Sequence, residues 1–351
     1  MPPILSDEER SAAIETRLDL LSRLLGRLDA AEQAAGRPPL QEDVALSYRG
    51  AASISRRKTT TADRRFPLTS LTKPVVARYV LELVGEGELT LEDRASRFLP
   101  AMKRPRANAI TVRHLLSHTS GLPFVTDRDR DLRQSLAPAT AFAKEAMTTP
   151  PLTAPGTQAI YSNAGFSILG AIVESVAGEP LATRVNQFLE EAGGCSQVGF
   201  GCPPESRVHV QLPAEQDGVG WHWNSDYWSD LAAPWGGLFG SATHAAAVLS
   251  RLWCTSARSL RIREAMRPAA GAKWGLGVRG VWTDHTASLG DLLSPTAFGH
   301  YGASGNLMWC EGDCVVVVLT DRPIVRQPRM LQQISNVVAD LPDLFASTTV
   351  D

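Results

Sequence analysis

The chain has no segment suited to crossing a membrane. No apolar run reaches the roughly 18 residues that a transmembrane helix needs, although hydrophobic residues make up 44% of the 351. An excess of one charge sign is missing too. Thirty-five basic and 37 acidic residues leave a net charge of −2. There is no charge run, so neither nucleic acid nor a membrane surface is an expected partner. Cysteine is scarce, with Cys195, Cys202, Cys254, Cys310 and Cys314 only. An odd count fits reduced thiols. Cys310 and Cys314 flank the turn EGD and could lie across a hairpin, and whether they pair is left open. No second C-x-x-C or histidine set accompanies them, so no zinc site is expected. The N-terminus, MPPILSDEER, lacks the basic stretch and apolar segment of a secretory signal, so a cytoplasmic location is the expectation. Repeats and low-complexity tracts are absent. An ordinary globular composition remains, with length for one large or two ordinary domains.

Hydrophobic spacing supplies the elements. Residues 6–35 predict an amphipathic helix, with Ser6 and Glu9 as a capping box and a stripe of Ile14, Leu18, Leu21, Leu25 and Leu28. Gly36, Pro38 and Pro39 end it. Residues 43–57 alternate around a glycine and predict a hairpin. A helix follows over about 70–84, because Pro74 is tolerated only in a first turn. ITVRHLLSH and FSILGAIVESVAG read as helices, and 200–235 as long loops. SGNLMWC and CVVVVLT flank EGD as a second hairpin, before a last helix near 328–341. The order predicts an α+β fold with a central antiparallel sheet flanked by helices. Residues 1–90 and 270–351 would build the sheet lobe, and 91–269 an inserted, mostly helical lobe. A catalytic cleft would lie between them.

Three segments carry chemistry. In LTSLTKPVV, Ser70 and Lys73 share a helix face at a spacing of three. Taken alone this is a helix start, where Thr69, Ser70 or Thr72 could serve as cap. It is also the arrangement of a nucleophile and its base, provided burial or a nearby cation keeps the lysine amine neutral. In APGTQAIYSNAGFSILG, Tyr161 offers a hydroxyl that can move a proton, and Asn163 a donor and an acceptor. In FGHYGASGN, His300, Tyr301 and Gly302 precede the small residues Ala303 and Ser304. There the Ala303 amide could join the Ser70 amide around an oxyanion. Each segment alone also reads as an ordinary cap, Asx turn or glycine turn.

In this order and at these separations, the three segments resemble the serine β-lactamase-like family: class C β-lactamases, DD-peptidases, family VIII carboxylesterases and related acyltransferases. The resemblance runs from about residue 43 to 322 and includes LTLEDRASRFLP, ITVRHLLSHTSGLP, GGLFGSATH and WGLGV. It implies that Ser70 becomes acylated and that Lys73 and Tyr161 share the base work. Asn163 would position Lys73 and substrate. His300 would stand where the family's more familiar K-T-G triplet has lysine, with Tyr301 and Gly302 beside the substrate. The Ser70 and Ala303 amides would form the oxyanion hole. The implied activity is a cofactor-free serine hydrolase forming an acyl-enzyme from a small-molecule ester or amide. Three alternatives stand beside it: a transacylase passing the acyl group to an amine or alcohol, a β-lactamase or DD-peptidase, and a catalytically retired ligand-binding member. A histidine at 300 is mostly neutral at pH 7, which weakens carboxylate anchoring.

Two further features stand out in the sequence. His114 and His118 have an i, i+4 spacing but no accompanying glutamate and no third ligand, so no metal is expected. WHWNSDYWSDLAAPW, residues 221–235, holds four tryptophans and a tyrosine. Trp221, Trp223 and Trp235 are candidates for an aromatic wall of the substrate pocket, against the alternative of core packing.

Overall fold

Helix α1 (Asp7–Ala34) begins as its sequence demands: the Ser6 hydroxyl accepts from the Glu9 amide, and the Glu9 carboxylate accepts from the Ser6 amide. The computed structural model describes residues 6–57, 64–193, 197–269, 272–281, 289–325 and 329–346. Strands β1 (Glu42–Tyr48) and β2 (Ala51–Arg57) form the expected hairpin, turning at Arg49 and Gly50, whose φ values are 45° and 83°. Strand β3 (Phe66–Pro67) and a single 3-10 turn (Thr69–Leu71) lead into α2 (Thr72–Glu86).

The middle of the chain is helical, with α3 (Ala95–Phe98), α4 (Val112–Leu116), α5 (Asp129–Gln134), α6 (Ala139–Thr148), α7 (Asn163–Ala177) and α8 (Leu181–Glu191). Strand β4 (Val198–Phe200), helix α9 (Asp226–Asp230) and strand β5 (Leu238–Gly240) interrupt the long loops. Helices α10 (Ala242–Cys254) and α11 (Ala257–Met266) follow. Then come β6 (Arg279–Gly280), β7 (Phe298–Gly302), β8 (Asn306–Glu311) and β9 (Cys314–Thr320). The described chain ends with α12 (Met330–Val337) and α13 (Leu341–Ala346).

Both chain ends build the main sheet, in the antiparallel order β2-β1-β9-β8-β7-β6, and β3-β5-β4 form a small second sheet. Strand β9 explains the layering. Val315, Val317 and Leu319 enter one apolar cluster, and Val316 and Val318 enter the other. Its sequence is continuously apolar because both sheet faces are covered. Leu21, Leu25, Leu331 and Ile334 of α1 and α12 cover one face. Leu24, outside the expected stripe, is buried with them. The buried Arg322 ties α1 down, donating to Glu32 at 2.7 Å and to Asp321 at 2.9 Å.

The expected domain boundary at 269 moves. Helix α10 packs on β1, β2 and β9, through the buried face of Ala245, Val248, Leu249 and Leu252. That i, i+3, i+4, i+7 stripe assigns α10 to the sheet lobe, so the helical insertion ends before Ala242. Among the described residues, Cys202, Cys254, Cys310 and Cys314 are free thiols. In the β8–β9 hairpin Cys310 faces Val315 rather than Cys314. Cys195 lies outside the described residues. No single described helix is long and apolar enough to cross a membrane.

Candidate active site

Ser70 sits in the 3-10 turn ahead of α2, and no side chain caps either helix. The expected capping role is therefore not taken, and the hydroxyl is left for chemistry. Thr69 just before it adopts φ 46°, a left-handed conformation that is costly for a β-branched residue. A buried network holds it there. The Thr69 hydroxyl lies 3.1 Å from the Ser304 hydroxyl, and Ser304 and Asn306 both donate to the Pro67 carbonyl at 2.8 Å. Gly302 makes this approach possible: a Cβ there would lie 2.6 Å from the Thr69 hydroxyl and 2.7 Å from the Leu68 carbonyl. Gly302 thus lets β7 close on the Ser70 turn. It brings Ala303 beside that turn, and the Ala303 amide has no backbone partner among the described residues.

Lys73, one turn on, is fully buried. Its Nζ donates to the Ser70 hydroxyl at 3.2 Å and to the Trp235 carbonyl at 2.7 Å. It also lies 4.7 Å from the Tyr161 ring centroid and 5.6 Å from that of Phe166. Among the described residues no carboxylate pairs with it. Desolvation therefore drives its pKa well below the ordinary lysine value, toward a neutral amine. Asn163, expected to position Lys73, is not among its hydrogen-bond partners. The Asn163 backbone N–H donates to the Phe124 carbonyl at 2.7 Å, and its side-chain oxygen has no partner among the described residues.

Tyr161 is placed by the start of α7, where the Ser162 hydroxyl accepts from the Gly165 amide at 2.9 Å. The residue as a whole is half-buried, but dense packing around its hydroxyl raises the phenol pKa above the ordinary tyrosine range. A hydrogen bond with Ser70 offsets this only in part. The ring stacks on Phe124 at 5.8 Å and on Trp274 at 5.1 Å. His118 and His300 approach it at 4.7 and 5.8 Å. His300 is 3% exposed, and burial, with Lys73 nearby, lowers its pKa to about 3. It is neutral at physiological pH. Arg279, on β6, brings positive charge near this corner, 6.0 Å from the Trp274 ring centroid.

The expected site set is thus partly assembled. Ser70, Lys73, Tyr161 and His300 converge. Tyr301 does not: strand alternation turns its ring to the other sheet face, against the cluster under α1 and α12. The Trp235 indole is buried against Phe142 at 5.2 Å, and only its carbonyl reaches Lys73. Trp221 and Trp223 make their ring contacts with His222, and Trp223 also packs on the core. Asn224 binds the Val210 amide and carbonyl at 2.9 Å each, so the segment's polar residues tie the loop to its neighbours. The rings that flank Tyr161 are instead Phe124, which is 52% exposed, and the half-buried Trp274. Trp274 opens WGLGV, and Phe124 directly follows ITVRHLLSHTSGLP, two segments that carry the resemblance. Their place beside Tyr161 was not legible there.

Comparison with known proteins agrees with this geometry. The family described as Beta-lactamase matches residues 41–334. Esterase EstB of Burkholderia gladioli is 33% identical over 220 residues, 53% of this chain and 54% of that protein. The chain thus matches about half the length of this relative. A putative D-alanyl-D-alanine carboxypeptidase of Salmonella typhimurium is 25% identical over 325 residues, 80% of this chain and 74% of that protein. Among solved structures, EstCE1, described as a hydrolase with promiscuous acyltransferase activity, superposes with a TM-score of 0.72 at 20% identity. The match covers 91% of this chain and 98% of that one, and it shows a shared fold.

Proposed function

The chain belongs to the β-lactamase family, and from that premise we propose that it is a serine hydrolase of small-molecule esters or amides. The observation that carries this reading is a buried lysine amine, with no carboxylate partner among the described residues, 3.2 Å from the Ser70 hydroxyl. A neutral Lys73 can take the Ser70 proton as the serine oxygen bonds to the substrate carbonyl. The Ser70 and Ala303 amides then face the developing oxyanion. Tyr161, kept protonated by burial, passes the proton from the Lys73 ammonium to the leaving group as the scissile bond breaks. Water resolves the acyl-Ser70 by the reverse sequence. This division makes Lys73 the base and Tyr161 a neutral relay.

A second reading, transfer of the acyl group to an amine or alcohol, draws on the aromatic walls. Phe124 and Trp274 on either side of Tyr161 could hold an acceptor's apolar body and limit water. His300, being neutral, offers no charge to a substrate carboxylate, which speaks against β-lactam and peptidoglycan substrates. The test is intact mass after mixing with a p-nitrophenyl ester or a fluorophosphonate. One adduct per chain is expected, on Ser70 and absent from Ser70→Ala. An unmodified wild type sinks the acyl-enzyme. Adding an amine separates the readings: a new amide product with faster turnover means transfer, and unchanged hydrolysis means esterase.

A further inference from the structure

We propose that His118 is the positioning residue of Tyr161, and that His118 and His300 are held as opposite neutral tautomers on either side of it. The proposal rests on the hydrolase reading for its kinetic consequence and on hydrogen bonding for the tautomers.

His118 lies past the end of α4 in the left-handed region, at φ 59°, where residues other than glycine and asparagine are uncommon. It is fully buried. Two bonds fasten it to the segment that carries Tyr161. Its carbonyl accepts from the Ile160 amide at 2.8 Å, and its Nδ1 accepts from the Ser162 amide at 3.1 Å. The residue between those two amides is Tyr161. The imidazole also packs on the Tyr161 ring at 4.7 Å and meets Trp274 edge-on at 4.6 Å. The strained turn thus presents one side chain that fixes Tyr161 from backbone and ring together.

The same bonds set the protons. An amide N–H can only donate, so Nδ1 of His118 carries a lone pair and its Nε2 carries the hydrogen. At His300 the logic reverses. Its Nδ1 lies 2.7 Å from the Tyr301 carbonyl, which can only accept, so Nδ1 carries the hydrogen and Nε2 the lone pair. Both Nε2 atoms are buried and without a protein partner among the described residues. The Tyr161 region is therefore flanked by one neutral donor and one neutral acceptor. Burial, reinforced by Lys73, holds both imidazoles uncharged. Each neutral ring keeps one lone pair, whereas an imidazolium carries hydrogens on both nitrogens and would lose the bond from the Ser162 amide.

Two measurements test this. Nitrogen-15 NMR of histidine-labelled protein should show His118 as the Nε2–H form and His300 as the Nδ1–H form, neither titrating between about pH 5 and 8. A shared tautomer, or titration of His118 in that range, overturns the assignment whatever the activity. The second is the acylation rate with a p-nitrophenyl ester in two variants chosen for the left-handed backbone. His118→Gly relaxes the backbone but loses the acceptor, and acylation should fall about 10- to 100-fold with KM little changed. His118→Asn keeps a side-chain oxygen for the Ser162 amide and suits that φ, so it should recover most of the rate. Wild-type acylation in His118→Gly, or equal loss in both variants, overturns the positioning role while leaving the hydrolase reading intact. A wild type that never labels overturns both, and the NMR then judges the tautomers alone.

Discussion

The start of α2 and the segment from Trp221 to Trp235 both reach Lys73, but by different means. From the 3-10 turn ahead of α2 it is the Ser70 hydroxyl, a side chain, that meets Nζ at 3.2 Å. From the tryptophan segment it is a backbone carbonyl, at 2.7 Å. The contrast separates two kinds of sequence signal. A nucleophile and its base need particular side chains at a particular spacing, so the residue types announce them. A carbonyl acceptor is available from any residue, so the identity of Trp235 says nothing about the contact. Its indole buries where area favours burial, in the core beside Phe142.

Substitutions can break or sharpen this contrast. Lys73→Met should have the largest effect, lowering kcat/KM by about 10²- to 10⁴-fold, as expected for loss of a general base. A variant retaining a tenth of the activity would exclude Lys73 as the base. Trp235→Phe, by comparison, keeps the carbonyl and should stay within a few-fold of wild type in kcat/KM. It should still destabilise the protein by about 1–3 kcal/mol in urea melts, through the void left in the core.

The aromatic walls give the next test. Trp274→Ala should cost about tenfold in kcat/KM, because it removes one face of the Tyr161 stack. Trp221→Ala should change it less than about twofold. Equal losses at the two positions would restore the tryptophan segment as the pocket wall.

The smallest effect concerns pH. Burial lowers the His300 imidazole to about 3, against about 6.5 in an unfolded chain. Between those values only the unfolded chain takes up the proton. Keeping His300 neutral therefore costs nothing above about pH 6.5 and destabilises the fold as pH falls, by about 1.4 kcal/mol per unit. Asp321 acts in the opposite sense. Burial raises its carboxyl to about 6, so it favours the folded state as pH falls from there toward about 4. The informative quantity is the difference between wild type and His300→Gln in urea melts at pH 7, 6 and 5. The variant should lose less stability on acidification, and identical slopes would exclude a buried neutral His300.

Much of the fold was legible because burial imposes periods. The capping box at Ser6, the hairpin around Gly50 and the two-faced apolar strand CVVVVLT follow from local geometry and from which faces are covered. The displaced boundary at α10 was not legible. An amphipathic helix shows that it has an apolar face, and only the packing shows which neighbour covers it. In the site, Ser70, Lys73, Tyr161 and His300 could be read as reactive types in a known order. Phe124 and Trp274 could not, since stacking requires only a large ring and leaves no spacing rule.

The sequence by itself determined the reactive side chains, the elements that carry them and the family to which they belong, because bonding chemistry and helical or strand periods constrain residue type. Tertiary structure alone decided their protonation states and surroundings. Desolvation lowers the pKa of Lys73 and of His300, Tyr301 turns away by strand alternation, and Trp235 contributes a carbonyl instead of its ring. Each of these depends on which atoms from distant parts of the chain exclude water, and water exclusion has no local signature.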